Sequence, residues 1–337
     1  MKQIRVHGPD DVRLDDIDPP EPGPADAVVR IAACGICGSD VSYVHMGGVA
    51  GPTGHPMPLG HEMAGVVDWV GDEVDGITVG DRVIVHPGDT GHGPMGSGGI
   101  EGGLTISLLV RDVARHRRLF PVPDDMALPV AALAEPLGVG MQAVNQADVA
   151  PGDKVAVFGC GPIGLMAIAT LIDRGIHEVV AVDLSRQRRE LALGLGAQAA
   201  LDPTAVDVWD ELARIHGTAP FMFGPTPATN AFIEASGADQ VIGDVIQHGR
   251  VGGRLSVVAL HYRAVPTNFL MILMKQLTIR GSMEYPPRFE DAIELLARRD
   301  LSSLITNRFT LEEFERGLEL LNGSKDCGKV MITMGVE

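Results

Sequence analysis

A short glycine-rich segment, Gly159-Cys160-Gly161-Pro162-Ile163-Gly164, constrains the fold of this chain more than any other feature. An apolar run at residues 154–158 precedes it and predicts a strand, and residues 162–174 predict a helix. The first glycine of such a motif permits a tight turn, the second admits a pyrophosphate, and the third lets the helix pack closely on the strand. The free N–H groups at the helix start favour phosphate. The sequence therefore predicts a dinucleotide-binding α/β domain.

A carboxylate after the next strand indicates which dinucleotide is preferred. Residues 178–183 predict that strand, and Asp183 ends it about 20 residues beyond the glycines, where an acid hydrogen-bonds the ribose hydroxyls. An acid there repels a 2′-phosphate, so NAD is favoured over NADP. Two alternatives remain: a glycine-rich turn without a ligand, and a 2′-phosphate held by the arginines after Asp183. The predicted cofactor contacts are Gly159, Gly161, Pro162, Ile163, Gly164, Asp183, Leu184, Arg188 and Leu260.

Composition narrows the class of protein. A chain of 337 residues with 45% hydrophobic side chains is long enough for two domains. Its net charge of −17 repels phosphate backbones and argues against nucleic acid as a partner. The N-terminus carries no apolar signal core, and the apolar runs are too short to cross a bilayer. Four cysteines are too few for a disulfide scaffold. We therefore expect a cytoplasmic protein with no membrane partner.

The pattern along the chain changes near residue 151. Before it, residues 27–33, 64–70 and 82–85 predict strands. After it, strands alternate with helices, which predicts a parallel sheet with helical crossovers. The later predictions are strands at 231–234, 255–260 and 329–333 and helices at 185–195, 289–297 and 311–321. We expect the final strand to return to the first domain.

Three short segments carry candidate metal ligands. They contribute Cys37, the pair His61-Glu62, and Glu135. Zinc binds thiolate, imidazole and carboxylate, and catalytic zinc sites keep one position open. The chemistry alone leaves a second interpretation open, in which Cys37 is a small buried residue, His61 a hydrogen-bonded loop residue and Glu135 a salt-bridge partner.

The segments at residues 35–40, 60–62 and 135–137, followed by residues 159–164 and Asp183, resemble the zinc-containing medium-chain dehydrogenase superfamily. The resemblance spans essentially the whole chain and is greatest to the sorbitol, butanediol and threonine dehydrogenase branches. It implies an α/β fold class, with a GroES-like β-rich catalytic domain and a Rossmann domain whose parallel sheet is doubly wound. The implied boundaries are residues 1–147 with 283–337 for the catalytic domain and residues 148–282 for the NAD-binding domain.

The resemblance also implies roles for individual residues. Cys37 and His61 would bind zinc with Glu62 as third ligand, and Glu135 would reach the metal directly or through water. Ser39 would contact the substrate oxygen and pass its proton on, Asp40 would steady the surroundings of the metal, and Tyr43 matches the sorbitol-like pattern. The implied reaction is reversible oxidation of a secondary alcohol to a ketone, with hydride passing to the nicotinamide.

The chain departs from the family pattern at several places. Residues 86–103 contain eight glycines and no cysteine where most zinc members carry four, so we expect one catalytic zinc and no structural zinc. His86 and His92 lie there but are better explained as loop residues. The histidine expected two residues after Ser-Asp is replaced by Ser42, and Glu284 stands where polyol dehydrogenases often have arginine. Residues 220–229 are longer than usual, and either cover the cofactor or line an interface.

Two other functions remain open from the sequence. One is an NADPH-linked reductase of aldehydes or ketones in biosynthesis, and the other is a non-catalytic nucleotide-binding redox sensor. Whether the enzyme is an alcohol dehydrogenase or a reductase, its partner is a small-molecule alcohol or ketone. We expect a homodimer or homotetramer, because the predicted strand at residues 277–281 would form an uncovered sheet edge.

Overall fold

The computed structural model describes residues 1–89, 91–323 and 326–335. The strands, in chain order, are β1 Lys2–Gly8, β2 Asp11–Asp16, β3 Ala27–Ile36, β4 Met57–Pro58, β5 Glu62–Val70, β6 Arg82–Val85, β7 Ser107–Val110, β8 Leu119–Pro121, β9 Val155–Phe158, β10 Val179–Val182, β11 Ala199–Leu201, β12 Thr218–Ala219, β13 Thr226–Pro227, β14 Ala231–Glu234, β15 Arg254–Val257, β16 Thr278–Gly281, β17 Ile305–Phe309 and β18 Lys329–Thr333. The α-helices are α1 Gly38–Met46, α2 Leu128–Ala131, α3 Ala134–Gln146, α4 Pro162–Asp173, α5 Arg186–Leu195, α6 Val208–His216, α7 Asp239–His248, α8 Phe269–Lys275, α9 Glu290–Arg298 and α10 Phe314–Asn322.

One compact unit comprises residues 1–135 and 296–337. Its main sheet has the order β17-β18-β3-β5-β6-β8, with β7 also paired to β3. Apart from the half-buried Arg30, strand β3 carries apolar or small side chains and is buried throughout. A smaller sheet, β2-β1-β4, completes this β-rich unit.

The C-terminal strand explains why β3 is longer than the sequence predicts. Strand β18 pairs antiparallel with the last part of β3, and Val330 lies opposite Ile36. This pairing supplies ladder hydrogen bonds to residues 34–36, which the sequence analysis left outside the strand at 27–33. The predicted return of the tail to the first domain is confirmed.

The second compact unit comprises residues 136–295 and contains a six-stranded sheet. All strand pairs of this sheet are parallel, and the strands lie in the order β11-β10-β9-β14-β15-β16. A separate two-stranded pair, β12-β13, is antiparallel. This is the doubly wound order 3-2-1-4-5-6, whose direction reverses between β9 and β14. Strands β9 and β10 are buried throughout, which accounts for their unbroken apolar sequences. The predicted Rossmann fold is confirmed.

Two elements differ in length from the predictions. The strand predicted at residues 255–260 ends at Val257, because the N–H groups of Val258 and Ala259 both donate to the Glu234 carbonyl and the chain leaves the ladder. The helix predicted at residues 311–321 begins with a 3₁₀ turn, Leu311–Glu313, and continues as α10.

The compact units divide the chain at residues 135/136 and 295/296. Helix α3 falls almost wholly in the second unit because it packs closely against α4. The two helices touch at Gly140, where an added Cβ would lie 2.7 Å from the Ala167 nitrogen. The functional division at residues 147/148 and 282/283 stays a prediction. Within the described ranges, every helix is too short or too polar to cross a membrane.

Candidate active site

The glycine motif forms the turn between β9 and α4 and requires glycine at two positions for different reasons. Gly159 has φ = 91°, and a Cβ there would lie 2.6 Å from the Ser236 nitrogen. A Cβ at Gly164 would lie 1.8 Å from the Gly159 carbonyl oxygen. Gly161 is the N-cap of α4 and Pro162 its first residue, so the helix begins directly behind the turn. This is the cradle that the sequence predicts for a pyrophosphate.

Asp183 lies beside this turn. Its Oδ2 accepts a hydrogen bond from the Cys160 N–H at 2.6 Å, and its Oδ1 accepts one from the Ser185 N–H at 2.7 Å. These bonds fix the carboxylate at the carboxyl end of β10 while leaving each oxygen a lone pair for a further donor.

Two of the arginines after Asp183, Arg189 and Arg188, make different contacts. The Arg189 guanidinium donates to the carbonyls of Asp183 and Leu184 and pairs with Asp202 at 3.1 Å, so it ties the loop together. A Cβ at Gly161 would lie 3.7 Å from Arg188 Nη1, so Arg188 extends over the phosphate turn.

The remaining predicted cofactor contacts also lie at or near this edge of the sheet. Leu184 follows Asp183 and is 69% exposed, and Leu260 follows β15 and is 54% exposed. Pro162 and Ile163 are half-buried in the first turn of α4. The structure thus places uncovered apolar side chains close to the polar groups of the turn.

Three of the four residues predicted as metal ligands come together in the first unit. Among the described residues, ligand atoms of Cys37, His61 and Glu62 all lie within 4.8 Å of one another. Cys37 is half-buried, whereas His61 and Glu62 are buried. The pairing of β3 with β5 brings these residues together, because Glu62 begins β5 opposite Gly35 of β3 and Cys37 follows β3 directly.

Cys37 is held at the start of α1. Its side chain caps the Asp40 N–H, and the Asp40 Oδ2 accepts the Cys37 N–H at 2.8 Å, which forms a reciprocal capping box. The capping box therefore fixes the position of the Cys37 sulfur at the start of α1.

His61 lies between a serine and an aspartate. Its Nε2 is 3.5 Å from Ser39 Oγ, and its Nδ1 is 3.5 Å from Asp40 Oδ1. Burial by itself would lower the pKa of His61, but the charges of Asp40, Cys37 and Glu135 outweigh it and raise the pKa well above its ordinary value. Burial raises the pKa of Asp40, which is fully enclosed. The ring therefore sits in strongly negative surroundings.

Glu62 is paired with a lysine that the sequence analysis did not single out. Its Oε1 accepts a hydrogen bond from Lys329 Nζ at 2.5 Å, and Lys329 also donates to the Ile36 carbonyl at 2.9 Å. Both side chains are buried. Gly35 makes room for the carboxylate, since a Cβ there would lie 1.8 Å from Glu62 Oε2. A lysine inside the buried strand at 329–333 was the signal available in the sequence.

The other two predicted site residues, Glu135 and Tyr43, have different surroundings. Glu135 lies in the first turn of α3, is 5% exposed, and is close enough to raise the pKa of His61 and of Lys329. For Lys329, burial acts in the opposite direction and is outweighed. Tyr43 is half-buried on α1 and packs against the apolar core. Among the described residues, its hydroxyl makes no hydrogen bond to the cluster.

The donor set fits a zinc ion. Within the described ranges, Glu62 Oε2, His61 Nδ1 and Asp40 Oδ1 are buried without a hydrogen-bond partner. A carboxylate, a thiol and an imidazole are ligand types that zinc prefers. Lys329 is the nearby permanent cation, and it faces the acids Glu62 and Glu135. A divalent cation would balance this excess of negative charge.

Comparison with known proteins identifies the family. The model of the alcohol dehydrogenase GroES-like domain matches residues 23–124, and that of the zinc-binding dehydrogenase matches residues 162–298. The chain is 31% identical over 355 residues to (R,R)-butanediol dehydrogenase of Bacillus subtilis (strain 168), covering 98% of this chain and 99% of the relative. It is 32% identical over 337 residues to the sorbitol dehydrogenase of Homo sapiens, covering 94% and 93%.

A solved structure agrees with this assignment. A putative zinc-binding dehydrogenase from Sinorhizobium meliloti 1021, bound to NADP, superposes with a TM-score of 0.85 at 25% identity and covers 98% of each chain. This protein therefore belongs to the zinc-containing medium-chain dehydrogenase family. It is an alcohol oxidoreductase, and its substrate is a small molecule.

Proposed function

We propose that this enzyme catalyses the zinc-dependent, NAD-linked oxidation of a secondary alcohol in a diol or polyol to the ketone, and the reverse reaction. One observation carries the proposal. Cys37, His61 and Glu62 converge with an unsatisfied carboxylate oxygen, in a chain about as similar to a butanediol dehydrogenase as to a sorbitol dehydrogenase.

Cys37, His61 and Glu62 would hold the zinc, and Glu135 would reach it directly or through water. Bound zinc would supply Lewis acidity, which lowers the pKa of an alcohol hydroxyl well below its ordinary value. Asp40 Oδ1 lies 3.5 Å from His61 Nδ1 and would orient the ring, so that Nε2, on the Ser39 side, would be the nitrogen that binds the metal. The side chain of Lys329 neutralises part of the charge on Glu62.

The chain supplies a route for the proton. Ser39 Oγ lies 3.5 Å from His61 Nε2 and is half-buried, at the edge of the cluster. Ser39 would accept the hydroxyl proton of the alcohol and pass it outward. A bound nicotinamide would supply the acceptor for the hydride of the same carbon. We keep Tyr43 as a predicted substrate contact, although its ring packs against the core.

NAD is the dinucleotide that the second unit favours. Asp183 offers lone pairs to the ribose hydroxyls and would repel a 2′-phosphate. Arg189 is already engaged by two carbonyls and Asp202 and is not available for such a phosphate. Arg188 would contact the pyrophosphate, and Leu184 and Leu260 would cover apolar parts of the cofactor. The NADP found in the Sinorhizobium meliloti protein makes this assignment worth direct testing.

We expect one zinc per chain and a symmetric oligomer. The segment at residues 86–103 has no cysteine. Arg118 Nη1 lies 3.1 Å from His86 Nδ1, so this ring nitrogen already has a partner. Strand β16 is the last strand of its sheet, and exposed apolar side chains lie on it and on the preceding helix α8. They are Phe269, Leu270, Leu273 and Ile279. A second copy of the chain, pairing β16 with β16, would cover both, giving a homodimer or homotetramer.

A panel of substrates tests the proposal. The zinc-loaded enzyme is mixed with NAD and vicinal diols, polyols, amino alcohols and simple secondary alcohols, and NADH is followed at 340 nm. Diols and polyols are expected to react fastest. Faster reduction of ketones with NADPH than oxidation with NAD would favour the biosynthetic reductase. No absorbance change with any alcohol or ketone would favour a redox sensor.

A further inference from the structure

A partly buried ion-pair network lies at the carboxyl end of β14, apart from the residues assigned above. Glu234, the last residue of that strand, is 0% exposed. Its Oε1 accepts hydrogen bonds from the N–H groups of Ser236 and Gly237 and from the Ser236 hydroxyl, at 2.8, 2.9 and 2.6 Å. Its Oε2 lies 2.9 Å from His261 Nε2.

His261 is bound on both ring nitrogens by acids. Its Nδ1 lies 2.9 Å from Asp239 Oδ1, and its side chain is 9% exposed. Ionised carboxylates only accept hydrogen bonds, so the ring can satisfy both only as imidazolium, with a proton on each nitrogen. The hydrogen bond to Asp239 and then that to Glu234 raise the pKa of His261 above its ordinary value, although burial acts against them.

The network joins segments that are separate in sequence. Glu234 ends β14, Asp239 begins α7, and His261 follows β15. These segments adjoin the phosphate turn, since a Cβ at Gly159 would lie 2.6 Å from the Ser236 nitrogen and one at Gly164 lies 3.6 Å from Ala235 Cβ. The loop that Glu234 fixes is therefore one wall of the glycine turn.

We propose that His261 is a positioning residue for the dinucleotide, whose imidazolium ties residues 235–239 to residues 258–261 and so fixes both the wall of the glycine turn and the placement of Leu260. The inference rests on the proposed NAD-linked function. It makes tight dinucleotide binding depend on the protonation of a side chain that does not itself touch the phosphate turn.

The direction of the pH effect follows from the groups that face the ring. In the described chain these are Glu234 from β14 and Asp239 from α7, both acidic. Below its raised pKa His261 is charged and the network is complete. As the pH rises through that pKa, the ring loses one donor, and the two acids face each other without a countercharge. Affinity is therefore greatest at lower pH and falls at alkaline pH.

The dissociation constant of NADH, measured by fluorescence titration from pH 6 to pH 9, tests this role. For the wild type we expect a constant value at the acid end and about a tenfold rise at the alkaline end, the scale of one charge-assisted hydrogen bond. His261→Gln is expected to bind about tenfold more weakly at pH 6, with a flat profile. His177→Gln, at an exposed histidine of the same unit, should follow the wild type.

Proton-detected ¹⁵N spectra of the histidine rings provide a readout that needs no cofactor. At pH 6 the His261 ring should carry protons on both nitrogens. A neutral ring at pH 6, or equal affinity and equal pH slope in wild type and His261→Gln, overturns the positioning role alone. Failure of the wild type to bind NADH at any pH overturns the proposed function and this role with it.

Discussion

Two fully buried glutamates, Glu62 in the β-rich unit and Glu234 in the Rossmann unit, are each paired with a basic side chain. Glu234 uses both oxygens, with three donors on Oε1 and His261 on Oε2. Glu62 uses only Oε1, for Lys329, and its Oε2 has no partner in the described residues. A carboxylate with both oxygens hydrogen-bonded holds the backbone around it in place, whereas a buried carboxylate with an unbonded oxygen is a candidate ligand for a cation.

The two basic partners, Lys329 and His261, differ in how their charge depends on pH. Lys329 has its pKa raised by Glu62 and neighbouring acids against the effect of burial, and it stays charged throughout the working pH range. Histidine loses its charge within that range. Lys329 therefore keeps its charge as the pH changes, whereas the proposed role of His261 depends on pH.

The largest effect is expected from Cys37→Ser. Loss of the thiolate removes a ligand, so kcat/KM should fall by at least about 10³-fold, the scale of several kcal/mol of Lewis-acid stabilisation. The NADH dissociation constant should change by less than about twofold, because the dinucleotide residues lie in the other unit. Cys327→Ala, at a buried cysteine outside the cluster, should keep its activity. Full turnover by Cys37→Ser would refute the zinc mechanism.

Lys329→Met tests the partner of Glu62. Removing one member of a buried ion pair leaves an uncompensated charge, so the free energy of unfolding should fall by about 3 kcal/mol in zinc-stripped protein. Zinc would supply part of the missing charge, and the loss should shrink in loaded protein. Denaturant unfolding with and without chelator measures both values. Lys2→Met, which breaks the exposed pair with Asp16, should have no measurable effect. Equal losses with and without zinc would separate Glu62 from the metal.

Ser39→Ala addresses the proton route. With the hydroxyl gone, kcat should fall by about 10²-fold, the lower end of general acid–base contributions. The nearby Ser42→Ala removes a hydroxyl that donates to the Gly38 carbonyl on the same helix and serves as the matched control. Steady-state rates at saturating alcohol distinguish the two variants. An undiminished kcat for Ser39→Ala would assign the proton to another group.

Asp183→Gly is expected to change the choice of cofactor more than the rate. Removing the carboxylate deletes the ribose hydrogen bonds and the repulsion of a 2′-phosphate, so the NAD-to-NADP preference should fall by about tenfold. The ratio of kcat/KM values for the two cofactors measures it. Arg186→Ala, on the exposed side of α5 and paired with Glu190, is the control. A wild-type preference for NADP would contradict the assignment to NAD.

Much of the architecture was predictable from local pattern. The Rossmann strands carry unbroken apolar runs and the glycine motif stands in its required context, so fold and phosphate turn followed directly. The convergence of Cys37, His61 and Glu62 depended on resemblance, because the register that sets Glu62 opposite Gly35 is not local. Lys329 and His261 were not foreseen. Their roles arise from pairing with residues 267 and 27 positions away, which sequence spacing does not encode.

Zinc content is the most direct test of the central claim. Elemental analysis by mass spectrometry of purified wild type, dialysed against metal-free buffer, should give about one zinc per chain, and Cys37→Ser should give almost none. One zinc in the wild type that is lost with Cys37 is the result this account predicts. No zinc in the wild type, or zinc retained in full by Cys37→Ser, would contradict it, and two per chain would refute the absence of a structural site.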